Sequence, residues 1–582
     1  MNMVKKEKLL VAGVLFIAVL FFGLLAVFLG QDANWDLRNY HYYNAYAFLN
    51  DRYALDLLPS QMPYFYNPLI DVPFFYLSLA LSAKQTAFAL GAVQGINFVL
   101  LFFIAFSVLA IKNNLHKAVV SFLIAFLGMI GSGSLAQLGT VFGDNITSIG
   151  VFLSLLLVVR YYKLLYQSSV FHAVVFSMLF ALPAGMAFGL KLPSVIYAVG
   201  LCFGLLFAGY TPSALRKNER LRCRKSLKYS RYSCETCSSH SSHFCLVSQF
   251  YIRSKRRFLV SFTFGIGVLI GAAITFAHWG IFLYHNFDSP LFPYFNNIFQ
   301  SSFAPLSSAR DTQFIPKSAS DFFLMPFLFT IEPLRVGEIP WRDFRIVIFY
   351  ALFLLVLFCK FFKKCKSTHR NITLPFQANY VLAVFAISYI AWLFLFSIYR
   401  YAVPIEMIAG LLIVIVVDFL PLKKIAKLSL IGVLFIVVCA SIIPGNWDRR
   451  SSWLERVVEI EFDSSSSQLF ASPLNTVVLM AGWEPYSHVI PLFPKETAFV
   501  RIQSNFSLPD KPHGINEILH DRIQNHKNLN GRFYSLIPEH QLDVMEEALS
   551  NFNLALDRSS CSNVIDKLFN NSVLVLCGLK IM

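Results

Sequence analysis

Apolar residues run almost unbroken from Leu9 to Gly30, and ten further runs follow near 86–111, 118–138, 146–163, 170–188, 193–210, 258–279, 344–363, 376–398, 402–420 and 428–444. A run of about 20 residues matches a hydrocarbon core of roughly 30 Å. The pattern therefore predicts a polytopic α-helical membrane protein with eleven transmembrane helices. The polar stretches between the runs are of two alternating kinds. Basic clusters mark one kind: Lys112 with Lys117, Arg160 with Lys163, residues 211–257, Lys360 to Lys366, and Lys423 to Lys427. Positive loops stay cytoplasmic, which places the N-terminus inside and the C-terminus outside. The basic "MNMVKKEK" precedes the first run and "VFLGQDANW" offers no small-residue cleavage site, so that run reads as an uncleaved anchor. Only "GLKLP" separates 170–188 from 193–210, and a re-entrant hairpin is the alternative there.

Composition agrees with this pattern. Of 582 residues 56% are hydrophobic and 14% charged, with 60 Phe, against roughly 25% charged in soluble domains. The formal charge of +16 does not point to nucleic acid, because it follows the membrane: residues 211–257 alone hold 12 Lys or Arg against 2 acids. A topology signal explains that loop, with contact to anionic lipid as the alternative. Its "CETCSSHSSHFC" (Cys234, Cys237, His240, His243, Cys245) has zinc-ligand residue types. The ligands are crowded into twelve Ser-rich residues rather than set in two separated pairs, so a disordered basic loop is the better reading.

Three outward segments are too long for turns: 31–85, 280–343 and 445–582. The apolar stretch 64–83 is broken by Pro68 and Pro73 and reads as an interfacial helix. The tail 445–582 alternates strand-like ("NTVVLMAGW", "GRFYSLIP", "SVLVLCGLKI") and helical ("GINEILHDRIQNHK", "EHQLDVMEEALSNFN") stretches. It reads as a small extracytoplasmic α/β domain with a partly parallel sheet, following a membrane module over 1–444. An oxidising outer location makes Cys561 and Cys577 a candidate disulfide.

The first outer segment holds ten aromatics from Trp35 to Tyr66, with Asp32, Asp36, Arg38, His41, Asp51, Arg52 and Asp56 among them. An interfacial belt explains the tyrosines but not Asp36, since a carboxylate close to a span end must be solvated, paired or functional. Three readings stay open for Asp36: a general base for an acceptor hydroxyl, a ligand for a divalent cation, or a salt bridge to Arg38 or Arg52. Further along, "VFGDNITSIG" puts Asp144 and Asn145 at an outer helix end, as a second acidic site or as a helix cap. "AFGLKLPSVIY" puts Lys191 in an apolar setting, to neutralise a phosphate or to snorkel. "SIYRYAVPIE" puts Arg400 and Tyr401 at an outer span end, where Arg400 grips phosphate or pairs with Glu406. Arg310, Asp311, Lys317, Glu338 and Asp343 are further binding candidates in the second outer segment.

The order of these pieces resembles the GT-C superfamily of membrane glycosyltransferases. "WDLRNYHYYNAYAFLNDR…YFYNPLIDVPF" is similar to that superfamily's first outer loop, with an early acid, a nearby Tyr and a Tyr-x-Pro-Leu element before the next span. The resemblance covers roughly residues 1–444. It implies transfer of a sugar from a polyprenyl-phosphate donor to a lipid, glycan or protein acceptor of the cell envelope, on the outer face of a bacterial inner membrane. It makes Asp36 the catalytic base, with Asp32 its rival. It adds Tyr40, His41, Asp144, Asn145, Lys191, Arg400 and Tyr401 as substrate-binding residues. No firm metal motif is present, and a divalent cation (Mg or Mn) stays an open alternative. A transporter or flippase for lipid-linked saccharide, or an assembly protein, is the competing class. A transporter favours internal repeats and broken helices, and the sequence has no convincing duplication.

Overall fold

The computed structural model describes residues 2–208, 240–307, 309–361, 372–463, 473–509 and 514–582. The Cys/His-bearing stretch 234–245 falls outside the residues whose side chains are described. Each of the eleven apolar runs contains helix: Asn2–Leu29, Ala83–Gln94 continuing as Ile96–Val108, Asn114–Met129, Asp144–Tyr166, Val170–Leu190, Val195–Phe207, His240–Phe287, Arg345–Phe361, Pro375–Leu395, Val403–Asp418 and Lys424–Ser441. Among the described residues 8 helices are long and apolar enough to cross a membrane. The expected count of eleven is therefore not reproduced by length. Asn114–Met129, Val195–Phe207 and Arg345–Phe361 have 16, 13 and 17 residues, which rise only about 20–26 Å.

The chain reverses at successive helix ends, and the ends gather at two opposite faces. At one face Ala110 N donates to Ile372 O at 2.6 Å, and Asp418 accepts from Ile372 N and Thr373 N at 2.9 and 3.0 Å. Tyr166 Oη donates to Leu205 O at 2.9 Å, and Arg256 Nε to Leu165 O at 2.9 Å. The Val170–Leu190 and Val195–Phe207 helices each have one end at this face. The described basic clusters lie here too, with Lys427 on Asp418 at 3.1 Å and Lys360 over the Phe419 ring at 5.0 Å. At the other face the outer segments meet: Ala83 N donates to Glu455 O at 3.0 Å, Trp279 Nε1 donates to Phe65 O at 2.8 Å, and Arg342 bridges Ile443.

Small residues set the closest helix contact. A Cβ on Gly185 would collide with the Val268 carbonyl and one on Gly271 with the Leu182 carbonyl. The Val170–Leu190 and His240–Phe287 helices thus pack backbone to backbone, as small residues allow where water supplies no driving force. That contact fixes the end of the helix that delivers Lys191.

The tail forms a seven-stranded sheet in the order β1-β6-β7-β4-β2-β3, with β5 pairing β7. The strands are β1 Ile460–Phe462, β2 Thr476–Met480, β3 Ala498–Arg501, β4 Arg532–Pro538, β5 Leu554–Leu556, β6 Ser562–Asp566 and β7 Ser572–Ile581. The β3-β2 and β2-β4 pairs are parallel and the rest antiparallel. Register sets Ser562 opposite Leu576, which brings Cys561 and Cys577 side by side, and the two are joined. Mass spectrometry of unreduced protein is expected to recover their peptides linked. Two free thiols in freshly isolated protein would contradict the bridge.

This sheet is fused to the first outer segment. Leu57 bridges Val500, and Phe499 N donates to Asp56 Oδ1 at 2.8 Å. Arg501 Nε donates to Pro59 O at 2.8 Å, and Arg52 reaches both Asp56 (2.6 Å) and Thr497 O (2.6 Å). Ala33, Leu37 and Tyr43 share one buried core with Val478, Leu479 and Leu536. The loop that carries the candidate acids is therefore held on its outer side by the tail.

Candidate active site

The chain leaves its first helix at Gly30, whose φ of +101° and contact with the Arg450 carbonyl leave no room for a Cβ. Asp32 follows, and both its oxygens are occupied. Oδ1 accepts from Asn34 N (3.1 Å) and Asn34 Nδ2 (2.7 Å), and Oδ2 accepts from Val141 N (3.0 Å). Burial raises the Asp32 carboxyl above its ordinary value, outweighing the opposing charge of Arg449. This residue clamps the loop to the segment before the Asp144–Tyr166 helix. Asp36 then opens a π-helical turn, Leu37–His41, a wider turn that recurs at functional sites. Tyr40 Oη donates back to Asp36 Oδ2 at 3.1 Å.

Several segments from elsewhere in the sequence converge on this turn. Arg400 Nη1 lies 2.7 Å from Asp36 Oδ2 and its Nη2 3.4 Å from Glu338 Oε1. Lys191 Nζ lies 2.8 Å from Asp144 Oδ2 and also donates to the Phe142 carbonyl. The two pairs adjoin, because the Arg400 guanidinium sits 5.0 Å from the Phe142 ring and 5.9 Å from the Tyr401 ring, over which Lys191 lies at 5.6 Å. Tyr66 packs edge-on to Tyr40 at 5.3 Å and shares a 2.8 Å hydrogen bond with Tyr294. His41 stacks beside Tyr40 at 4.1 Å, its Nδ1 2.6 Å from Asp71 Oδ1. The side chains of Asp36, Arg400 and Lys191 stay 13, 15 and 16% exposed, so the cluster is sheltered yet open to a ligand.

Charge explains the state of these groups. Burial alone would raise the Asp36 carboxyl; the charge of Arg400, together with its hydrogen bond and the charge of Lys191, outweighs it and holds Asp36 below its ordinary value. Burial wins at Asp71, which is raised although His41 opposes it. Burial pushes the phenols of Tyr40, Tyr66 and Tyr294 up, so they remain hydrogen-bond donors.

The structure thus gathers Asp36, Tyr40, His41, Asp144, Lys191, Arg400 and Tyr401. Asn145 is turned away, its amide donating to Ser134 O at 3.0 Å. The salt-bridge alternatives for Asp36 fail, because Arg38 pairs with Asp448 at 3.0 Å and Arg52 with Asp56. Arg400 does not pair with Glu406, whose oxygens accept from Gly133 N, Ser134 N and Tyr399 Oη. Asp343 is tied to Arg345 at 2.8 Å, Arg310 Nε donates to Leu395 O at 3.0 Å, and of the remaining binding candidates Glu338 joins the cluster, while the charge of Asp311 is felt at Tyr66 and Tyr294. Asp71, Tyr66, Phe142 and Tyr294 were not singled out in the sequence. Asp71 stands in "NPLIDVPF", where its meaning depends on His41 thirty residues earlier.

Among the described residues no group of three or more His, Cys, Asp or Glu could hold a metal ion. Asp36 and Asp144 each carry an organic cation as counter-ion.

No protein-family model matches the sequence, and a search among curated proteins gives no match. Solved structures similar in shape include the Archaeoglobus fulgidus oligosaccharyltransferase tethered to an acceptor peptide, at 11% identity and a TM-score of 0.39, covering 92% of this chain and 71% of that one. Another is oligosaccharyltransferase AglB from the same organism with an inhibitory peptide and a dolichol-phosphate, at 11% identity and a TM-score of 0.40, covering 92% and 70%.

Proposed function

We propose that the chain is an inverting membrane glycosyltransferase of the GT-C type, moving a hexosyl or pentosyl group from a polyprenyl-phosphate donor to a cell-envelope acceptor. One observation carries the reading. Two cation–carboxylate pairs from four separate segments adjoin at one face, partly exposed, while the basic clusters lie at the opposite face. A donor whose tail is confined to the bilayer presents its phosphate at such a face. On this reading the basic face is cytoplasmic and the cluster and the tail are extracytoplasmic, in the inner membrane of a bacterium.

In the reaction the acceptor hydroxyl oxygen attacks the anomeric carbon and the bond from that carbon to the phosphate oxygen breaks. Polyprenyl phosphate departs with the electron pair, and its growing charge is met by Arg400 and Lys191. Asp36 takes the hydroxyl proton. Asp144 holds Lys191 in place, and the tyrosines floor the acceptor site.

A pH profile follows from the Asp36–Arg400 pair. The carboxyl is held below its ordinary value of about 3.9, so the free protein keeps its base ionised down to acid pH. The acid limb of kcat/KM, which reports free enzyme, is expected to lie below about pH 4. A bound donor phosphate shares Arg400 and relaxes its hold, so the acid limb of kcat should lie at higher pH than that of kcat/KM. Coincident limbs would contradict the shared-cation account. The reading itself is tested with radiolabelled polyprenyl-phosphate hexose and reconstituted full-length protein. Donor turnover is expected, and a complete lack of it with mixed envelope acceptors present would refute it.

A further inference from the structure

His41 is 3% exposed, and one of its two ring nitrogens is committed. Nδ1 faces the Asp71 carboxylate at 2.6 Å, with both side chains buried. Nε2, equally buried, has no hydrogen-bond partner among the described residues. A buried polar atom without a partner is costly and uncommon in a native fold. The Asp71 carboxylate can only accept, so in the neutral ring Nδ1 carries the hydrogen and Nε2 presents a lone pair. The atom is therefore free to receive a hydrogen bond from a donor other than the described residues. Its neighbours are the Tyr40 ring at 4.1 Å and, through the Tyr40 hydroxyl at 3.1 Å, Asp36.

We propose that His41, oriented by Asp71, is a positioning residue that binds a second hydroxyl of the acceptor, so that the acceptor is a saccharide. This rests on the glycosyltransferase reading and deepens it. One acceptor hydroxyl lies at Asp36 and reacts. A neighbouring hydroxyl donates to His41 Nε2, and a sugar face lies against the Tyr40 and Tyr66 rings. A single amide side chain of a peptide would offer one group to two acceptors that stand on one turn of helix. A saccharide offers two on one rigid ring, at little cost in conformational freedom.

The test uses reconstituted full-length protein, a radiolabelled polyprenyl-phosphate hexose as donor, and three competing acceptors: an alkyl glycoside, an Asn-Val-Thr peptide and water. Wild type is expected to favour the glycoside. His41→Phe should lower the ratio of glycoside transfer to donor hydrolysis about tenfold or more, the factor one hydrogen bond commands, and raise KM for the glycoside. His41→Gln, which keeps an acceptor oxygen near the Nε2 position, should restore part of the ratio, which also answers misfolding of the Phe variant. An unchanged ratio in both variants, with or without a fall in total turnover, would make His41 structural and overturn the proposal. Preference for the peptide over the glycoside would overturn it as well. Donor hydrolysis without His41 dependence sinks this inference alone. A wild type that neither hydrolyses nor transfers sinks the glycosyltransferase reading and this inference with it.

Discussion

Asp36→Asn is expected to lower sugar transfer by about 10²-fold or more, the usual worth of a positioned base. The substitution keeps the size of the side chain and lets an oxygen still face Arg400, which lies 2.7 Å from the carboxylate. What it removes is the basic charge that takes the acceptor proton. Donor binding should survive, because Lys191 and Arg400 both remain. Asp32→Asn should cost transfer much less, since both Asp32 oxygens are already spent on Asn34 and Val141. Transfer assays on the two variants decide between them. Full activity in Asp36→Asn with loss in Asp32→Asn would mean that the wrong carboxylate bears the chemistry.

Glu406→Ala is expected to be the most destabilising single change near the cluster. Its Oε2 accepts from Gly133 N at 2.8 Å and Tyr399 Oη at 2.7 Å, and its Oε1 accepts from Ser134 N at 2.9 Å. Beside it Arg345 donates to Asp343 at 2.8 Å and to the Glu406 backbone carbonyl at 3.3 Å. The whole node is buried. Alanine would strand three buried donors, at about 1–3 kcal/mol each, so a loss of about 3 kcal/mol or more is expected. Heat unfolding in detergent measures it. Glu406→Gln, which keeps one acceptor oxygen, should lose less. An unchanged midpoint in the alanine variant would remove Glu406 from the framework that holds the start of the Val403–Asp418 helix, and with it Arg400.

The hydrophobic pattern carried the helices well because lipid demands long apolar runs, and each run contains helix. It could not fix how many cross. Asn114–Met129 and Val195–Phe207 are short, and a flanking Lys or Phe looks the same in sequence whether or not the helix continues. In the tail, β2, β4 and β7 coincide with apolar stretches, whereas β1 and β5 have three residues each and β3 four. So few residues offer no period to read. The disulfide was legible because the tail holds only two cysteines, Cys561 and Cys577.

The site divides the same way. Asp36, Asp144, Lys191 and Arg400 could be picked out, since charges at span ends need a reason to be there. Their pairing could not, because Asp36 and Arg400 stand 364 residues apart while Arg38 and Arg52 lie close by in sequence. Arg52 is claimed by Asp56 four residues on, and Arg38 by Asp448 in the tail. The π turn was invisible too, as its residues read as ordinary helix.

A structure of the full-length protein with a polyprenyl phosphate bound tests the central claim most directly. The account predicts the phosphate within hydrogen-bond reach of both Arg400 and Lys191, with Asp36 facing the open side of the cluster. A lipid phosphate seated elsewhere, with the Arg400–Asp36 and Lys191–Asp144 pairs untouched, would contradict it.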